Sequence, residues 1–129
     1  MRVRRILGAV ALTAATSLSF VLPAAAASAA GTCGHSVHSP DGGATVCFNP
    51  TGEHLLVCDT NDDGHHPGAW YVIGNGINWH NPQYNLGAGN CHDINLDLAE
   101  TDTITYQACN YEGTKELSCS SYAVVGAAG

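Results

Sequence analysis

Six short runs of alternating or β-branched residues, with turn chemistry between them and six cysteines, predict an all-β fold. The expected form is a small antiparallel β-sandwich or partly closed barrel of about six short strands, stapled by three disulfides. No stretch carries the sustained 3.6-residue apolar period of an amphipathic helix.

The first residues stand apart from that pattern. Arg2, Arg4 and Arg5 form a basic start, 6–22 is an apolar run thinned by Thr and Ser, and 24–30 is made of small residues. Ala27, Ser28 and Ala29 supply the A-x-A pattern of a signal-peptidase site. The expectation is a signal peptide over 1–30 and a single secreted, extracellular β domain over 31–129.

Within that domain, 31–43 is polar and turn-like, with Ser39, Pro40, Asp41, Gly42 and Gly43 as a clear turn. A strand over 44–48 follows. Asn49, Pro50, Thr51 and Gly52 then reverse the chain, since Pro presets the turn and Gly accepts positive φ. The strand at 53–59 sets Leu55, Val57 and Asp59 on one face and Leu56 and Cys58 on the other, and pairs with 44–48 as a hairpin. The acidic turn 61–64 ends it. The third strand, 69–73, is the most aromatic and β-branched run in the chain. Residues 74–90 form a long glycine-punctuated loop, and a loop of that length is usually functional or mobile. Alternation at Ile94, Leu96 and Leu98 predicts a half-buried strand over 94–98. Strands at 103–111 and 117–125 complete the set, turned by Glu112, Gly113, Thr114 and Lys115.

All six cysteines (Cys33, Cys47, Cys58, Cys91, Cys109 and Cys119) lie after position 30, and an even count in a short exported chain argues for disulfides. Six cysteines allow fifteen pairings. Cys109 and Cys119 sit symmetrically about Thr114, so a hairpin there places them opposite each other. Cys33 can reach Cys47 by folding back over 40–43, which leaves Cys58 for Cys91. Cys47 with Cys58 across the 50–52 turn is the main competitor.

Charge narrows the partners. Past position 30 the chain keeps eleven acids against the single Lys115, a formal charge of −10 with no arginine. Nucleic acid and anionic membrane surfaces would be repelled. Other secreted proteins, metal ions and carbohydrate remain as partners.

Chemistry-bearing patterns are few. Asp59, Asn61 and Asp63 occupy the first ligand positions of an EF-hand-type loop and Gly64 its sharp turn, which makes them a weak calcium candidate. The position of the closing bidentate Glu is Trp70, and an Asp/Asn turn bonding its own backbone accounts for the same residues. Asp93 or Asp97 could complete an oxygen set if a Cys58–Cys91 bridge brought one of them close. The seven histidines, including His35 with His38 and His65 with His66, form no His-Glu-x-x-His helix. No serine sits in a Gly-x-Ser-x-Gly elbow, so no catalytic residue is assigned. Trp79, His80 and Tyr84, in the glycine-rich loop, are the candidate partner contacts.

The run from Phe48 through Gly52, Leu56 and Asp59 to Gly64 resembles a family of small secreted actinobacterial, Streptomyces-like proteins. These share an aromatic residue, a Gly-acidic turn, a hydrophobic strand and an Asp-Thr-x-x-Asp-Gly motif, here Asp59 to Gly64. Cys91, the Thr-Tyr-x-x-Cys from Thr105 to Cys109, and Cys119 with Ser120 are similar to the same set. The resemblance implies a disulfide-bridged all-β fold. Small exported β proteins of this kind can serve as adaptor subunits in secreted assemblies such as the umbrella-shaped antibacterial toxin particles. The function expected first is therefore a non-enzymatic secreted protein–protein interaction module, in its specific form a toxin-complex adaptor. A calcium- or carbohydrate-binding module and a small secreted inhibitor are the alternatives. No cofactor other than calcium is anticipated.

Overall fold

The computed structural model describes residues 33–129; the expected signal peptide lies outside them. Eight strands follow in chain order: β1 (Ser36–His38), β2 (Ala44–Asn49), β3 (His54–Asp59), β4 (His66–Ile73), β5 (Cys91–Asn95), β6 (Thr103–Glu112), β7 (Lys115–Cys119) and β8 (Ala123–Gly126). No helix occurs among the described residues. The strands make two antiparallel sheets and no closed barrel. One sheet runs β1-β2-β3-β5. In the other, β4 lines one side of the central β6, while β7 and β8 share its far side.

The period of two decides what is buried. Val46 and Phe48 of β2, Leu55 and Val57 of β3, Tyr71 of β4, and Ile104 and Tyr106 of β6 belong to one core cluster, joined by Leu98 and Val125. Burying side chains of that size returns about 1.5–3 kcal/mol each. The β2–β3 hairpin turns at 50–53, where Gly52 holds φ 78°. Leu56 points to the opposite face from Leu55 yet is 1% exposed, and the register sets it beside the disulfide-bonded Cys47.

All six cysteines are paired, as Cys33–Cys47, Cys58–Cys91 and Cys109–Cys119. The last two join residues directly opposite in neighbouring strands. The competing Cys47–Cys58 bridge does not form.

The strand count differs from the expected six for local reasons. β1 is only three residues long, held against β2 and preceded by the Cys33–Cys47 bridge. The strand expected over 94–98 begins earlier, at Cys91, where the bridge to Cys58 starts the pairing with β3. Beyond Asn95, Glu53 takes over, accepting the Leu96 N–H through its carbonyl and the Leu98 N–H through its carboxylate. The strand expected over 117–125 is split into β7 and β8. Ser120 breaks it: its N–H donates to the Ala108 carbonyl at 2.8 Å, and its hydroxyl oxygen accepts the Ala108 N–H at 3.0 Å. A side chain thus occupies the acceptor position that a backbone carbonyl would fill.

Candidate functional site

The loop over 74–90 is pinned along the free edge of β4. Tyr71 and His80 exchange backbone hydrogen bonds, the Ala69 N–H donates to the Pro82 carbonyl, and the Tyr84 N–H donates to the Pro67 carbonyl. The Asn81 amide donates to the Ala69 carbonyl and to the Tyr111 hydroxyl, at 3.0 and 2.8 Å. Glu116 then accepts from both the Tyr111 hydroxyl and the Trp70 indole N–H. Burial pushes the Tyr111 hydroxyl above its ordinary range.

This anchoring separates the three loop residues singled out from the sequence. Trp79 is 43% exposed and leans on Tyr122, with ring centroids 5.5 Å apart. His80 stacks on Tyr71 at 4.7 Å. Tyr84 turns the other way, packs against the core and stacks on His92 at 3.8 Å. Trp79 and Tyr84 therefore do not share a surface.

Instead, Trp79 joins residues that no local pattern singles out. Val125 faces the core, so its neighbour Val124 faces outward, and the register puts Val124, Thr105 and Val72 in one cross-strand row. Val72 is nearly covered, and a side-chain carbon at Gly76 would lie 3.5 Å from it, so the loop folds over that part of the sheet. Five large apolar side chains are exposed among the described residues: Ile77, Trp79, Leu117, Tyr122 and Val124. Trp79 and Tyr122 are in contact, Val124 lies two residues beyond Tyr122, and Ile77 two residues before Trp79.

The acidic turn divides its carboxylates between two jobs. Asp59, 3% exposed, lies with Asn61 and Asp62 on the wall of a cavity of about 260 Å³. His65, His66, Asn85, Leu86, Gly87 and Ala88 are also on that wall, so the acidic turn and the C-terminal end of the 74–90 loop face each other. Asp63 is not on the wall. Its Oδ1 accepts the His65 N–H at 2.9 Å and its Oδ2 accepts the Asn110 amide at 2.9 Å. The same amide nitrogen donates to Asp41 at 3.0 Å. Burial would raise the Asp63 carboxyl, but the hydrogen bonds from His65 and Asn110 and the charge of His65 outweigh it and hold it low. Asp41 is held low in the same way against burial, by Ser39, the Gly43 N–H and Asn110.

Of the calcium candidates, Asp59 and Asn61 border the cavity, while both carboxylate oxygens of Asp63 accept hydrogen bonds, one of them in a clamp between two turns. The Cys58–Cys91 bridge does not bring Asp93 to the acidic turn either. Its register places Asp93 opposite Leu56, where it pairs with His54 at 2.9 Å. The two histidine pairs are also spoken for in part. His65 meets Glu112 at 2.9 Å, His66 meets Gln83 at 3.0 Å, and His38 meets Thr45 at 2.8 Å. Among the described residues, Cys109, Glu116 and Cys119 bring three potential ligand atoms together, but both sulfurs are in a disulfide.

Asn110 was missed from sequence, although a signal exists. It continues the inward-facing series Ile104, Tyr106, Ala108 of β6, where an apolar residue belongs. Comparison with known proteins finds no matching family model, no similar curated protein and no similar solved structure.

Proposed function

We propose that this chain is a small secreted β-sandwich that works as a non-enzymatic protein–protein interaction module, docking through Trp79, Tyr122, Val124 and Ile77. The observation that carries the reading is the concentration of exposed apolar side chains beside the Trp79–Tyr122 pair, in a domain whose other large apolar residues are mostly buried. Exposed apolar clusters with a Trp and a Tyr are characteristic of contact surfaces. The loop that presents Trp79 is held by the edge of β4, so docking requires little further ordering. Three disulfides accord with an extracellular setting.

The adaptor role, as the subunit that joins two others in an extracellular antibacterial toxin assembly, requires two separate surfaces. The apolar patch and the acidic cavity share no residue, which favours that role over an inhibitor with one contact face.

The test is recovery of the affinity-tagged protein from culture, with the Trp79→Ser/Tyr122→Ser pair in parallel. A stoichiometric partner should accompany the parent protein, and the variant should bind it roughly thirtyfold more weakly or worse. Equal retention by the variant, or a parent protein recovered alone and monomeric on sedimentation, removes the proposal.

A further inference from the structure

The cavity beside the acidic turn contains a carboxylate oxygen without a partner. Asp59 is almost wholly buried, yet it forms part of the cavity wall. Its Oδ1 accepts the Asn61 N–H at a long 3.2 Å, and its Oδ2 meets no donor among the described residues. That Oδ2 is not sealed from solvent, so in an otherwise covered side chain it is the atom open to a donor entering the cavity. Asp62 adds a second negative charge to the same wall, and Asn61 and Asn85 add amides. His65 and His66 share the wall but are engaged by Glu112 and Gln83, and no lysine or arginine stands on it. Lys115 is the only lysine or arginine past position 30, and it stands opposite Glu112 at the β6–β7 turn.

We infer that this cavity receives one cationic side chain of a partner polypeptide, an arginine guanidinium or a lysine ammonium. The inference is independent of the Trp79 patch. A bare calcium ion fits poorly, because it requires six to eight oxygens at short range and Asp63 is committed to Asn110. The volume also far exceeds an ion: at about 30 Å³ per water, about 260 Å³ corresponds to several water molecules. A neutral sugar finds no Trp, Tyr or Phe on the wall to stack against. A single organic cation at the end of an aliphatic stem matches what remains: two carboxylates at the charged end, amides around it, and Leu86 for the stem.

The walls are preorganised for it. The Asp59 N–H donates to the Asn90 carbonyl at 2.9 Å and the Gly89 N–H donates to the Asp59 carbonyl at 2.8 Å. The Cys58–Cys91 bridge lies one residue away on both sides. The cavity therefore exists before the ligand arrives, and binding does not have to order the loop.

The experiment is an NMR titration of the isotope-labelled protein with N-acetyl-arginine methylamide, with the neutral citrulline analogue, methyl glucoside and calcium chloride as separate probes. The arginine probe should give saturable shifts confined to 59–66 and 85–90, and the citrulline analogue none. Asp59→Asn keeps an oxygen for the Asn61 N–H and should weaken the arginine probe about tenfold or more. Asp62→Asn, at an exposed position, should weaken it severalfold and serves if the Asp59 variant does not fold. Asp97→Asn removes the same charge from an exposed position outside the cavity and should leave binding unchanged. Citrulline binding as well as arginine, saturation by calcium or glucoside alone, equal weakening by Asp97→Asn, or no shifts with any probe would each overturn the inference.

Discussion

Gly43→Ala adds one methyl group and should unfold this protein more readily than most core truncations. Gly43 is buried, and a Cβ built on it would lie 2.0 Å from the Asn110 Nδ2, 2.5 Å from its Cγ and 2.9 Å from the Asp63 Oδ2. No relaxation of a few tenths of an ångström accommodates that, so the Asn110 amide has to leave. It takes with it the hydrogen bonds to Asp41 and Asp63 that join the 39–43 turn to the acidic turn. Hydrogen bonds to charged groups contribute roughly 1.5–3 kcal/mol each, and both carboxylates are only part-buried, which favours the lower end. Displacing packed side chains adds about 1–3 kcal/mol. The expected loss is therefore roughly 4–6 kcal/mol, a large share of the ~5–15 kcal/mol that holds a domain together. Thermal unfolding followed by circular dichroism should show the melting temperature falling by about 4–8 °C for each of those kcal/mol. Gly34→Ala is the control, since its Cβ would meet nothing within 4 Å and should change stability by less than ~0.5 kcal/mol. In an Asn110→Ala background the Gly43→Ala cost should shrink, because the clashing amide is gone. A loss below about 1 kcal/mol, or full additivity with Asn110→Ala, would refute the clamp.

Replacing each disulfide by an alanine pair should rank by the loop it closes. Loops of 33, 14 and 10 residues give about 3.7, 3.0 and 2.7 kcal/mol on the chain-entropy relation, so loss of Cys58–Cys91 should lower the denaturant midpoint most. In acid, Asp41 and Asp63 titrate lower when folded than when unfolded. Their contribution is complete above the ordinary value of 3.8 and disappears as pH falls through the depressed folded values, and Asp63→Asn should flatten that decline in an acid titration. In alkali the sign reverses. Burial holds Tyr71, Tyr84, Tyr106 and Tyr111 above 10.0, so their contribution is complete below pH 10.0 and lost as pH rises through the raised values. Phenolate absorbance should appear together with loss of the near-ultraviolet dichroism of the folded state, and early phenolate formation without unfolding would count against the buried placement.

What the sequence made legible was local. The 50–53 reversal and the symmetric placing of Cys109 and Cys119 depend on neighbouring residues, and both are present in the structure. The symmetry is itself informative. The β6–β7 turn centres between Gly113 and Thr114, with Glu112 opposite Lys115, and a register shift near Asn110 and Tyr111 brings the cysteines back into opposition. Contacts between residues far apart in the chain were not legible. Asn110 reaches Asp41 and Asp63 across 69 and 47 positions, and no pattern around Asp63 announces that its carboxylate accepts from Asn110. Tyr122 falls inside the single strand expected over 117–125, so its contact with Trp79 has no precursor in the chain. Closeness in sequence groups Trp79 with Tyr84, whereas with 80–84 anchored on β4 Trp79 leans on Tyr122 and Tyr84 packs against the core and His92.

That anchoring also explains why one irregular loop can furnish two surfaces. A strand edge left open is a hazard, because its unpaired N–H and C=O groups invite other chains. The middle of the 74–90 loop closes the β4 edge, and in doing so satisfies its own backbone groups without forming a regular strand. The segment before it is then free to carry Trp79 over the outer face of the sheet, and the segment after it to meet Asp59 under the Cys58–Cys91 bridge. Each end is held by its own set of bonds, and between them lies the stretch anchored on β4, a strand with eight paired residues against β6. On the proposed reading, a molecule built this way would hold two partners at once without either weakening the other, as a passive joint does and a switch does not.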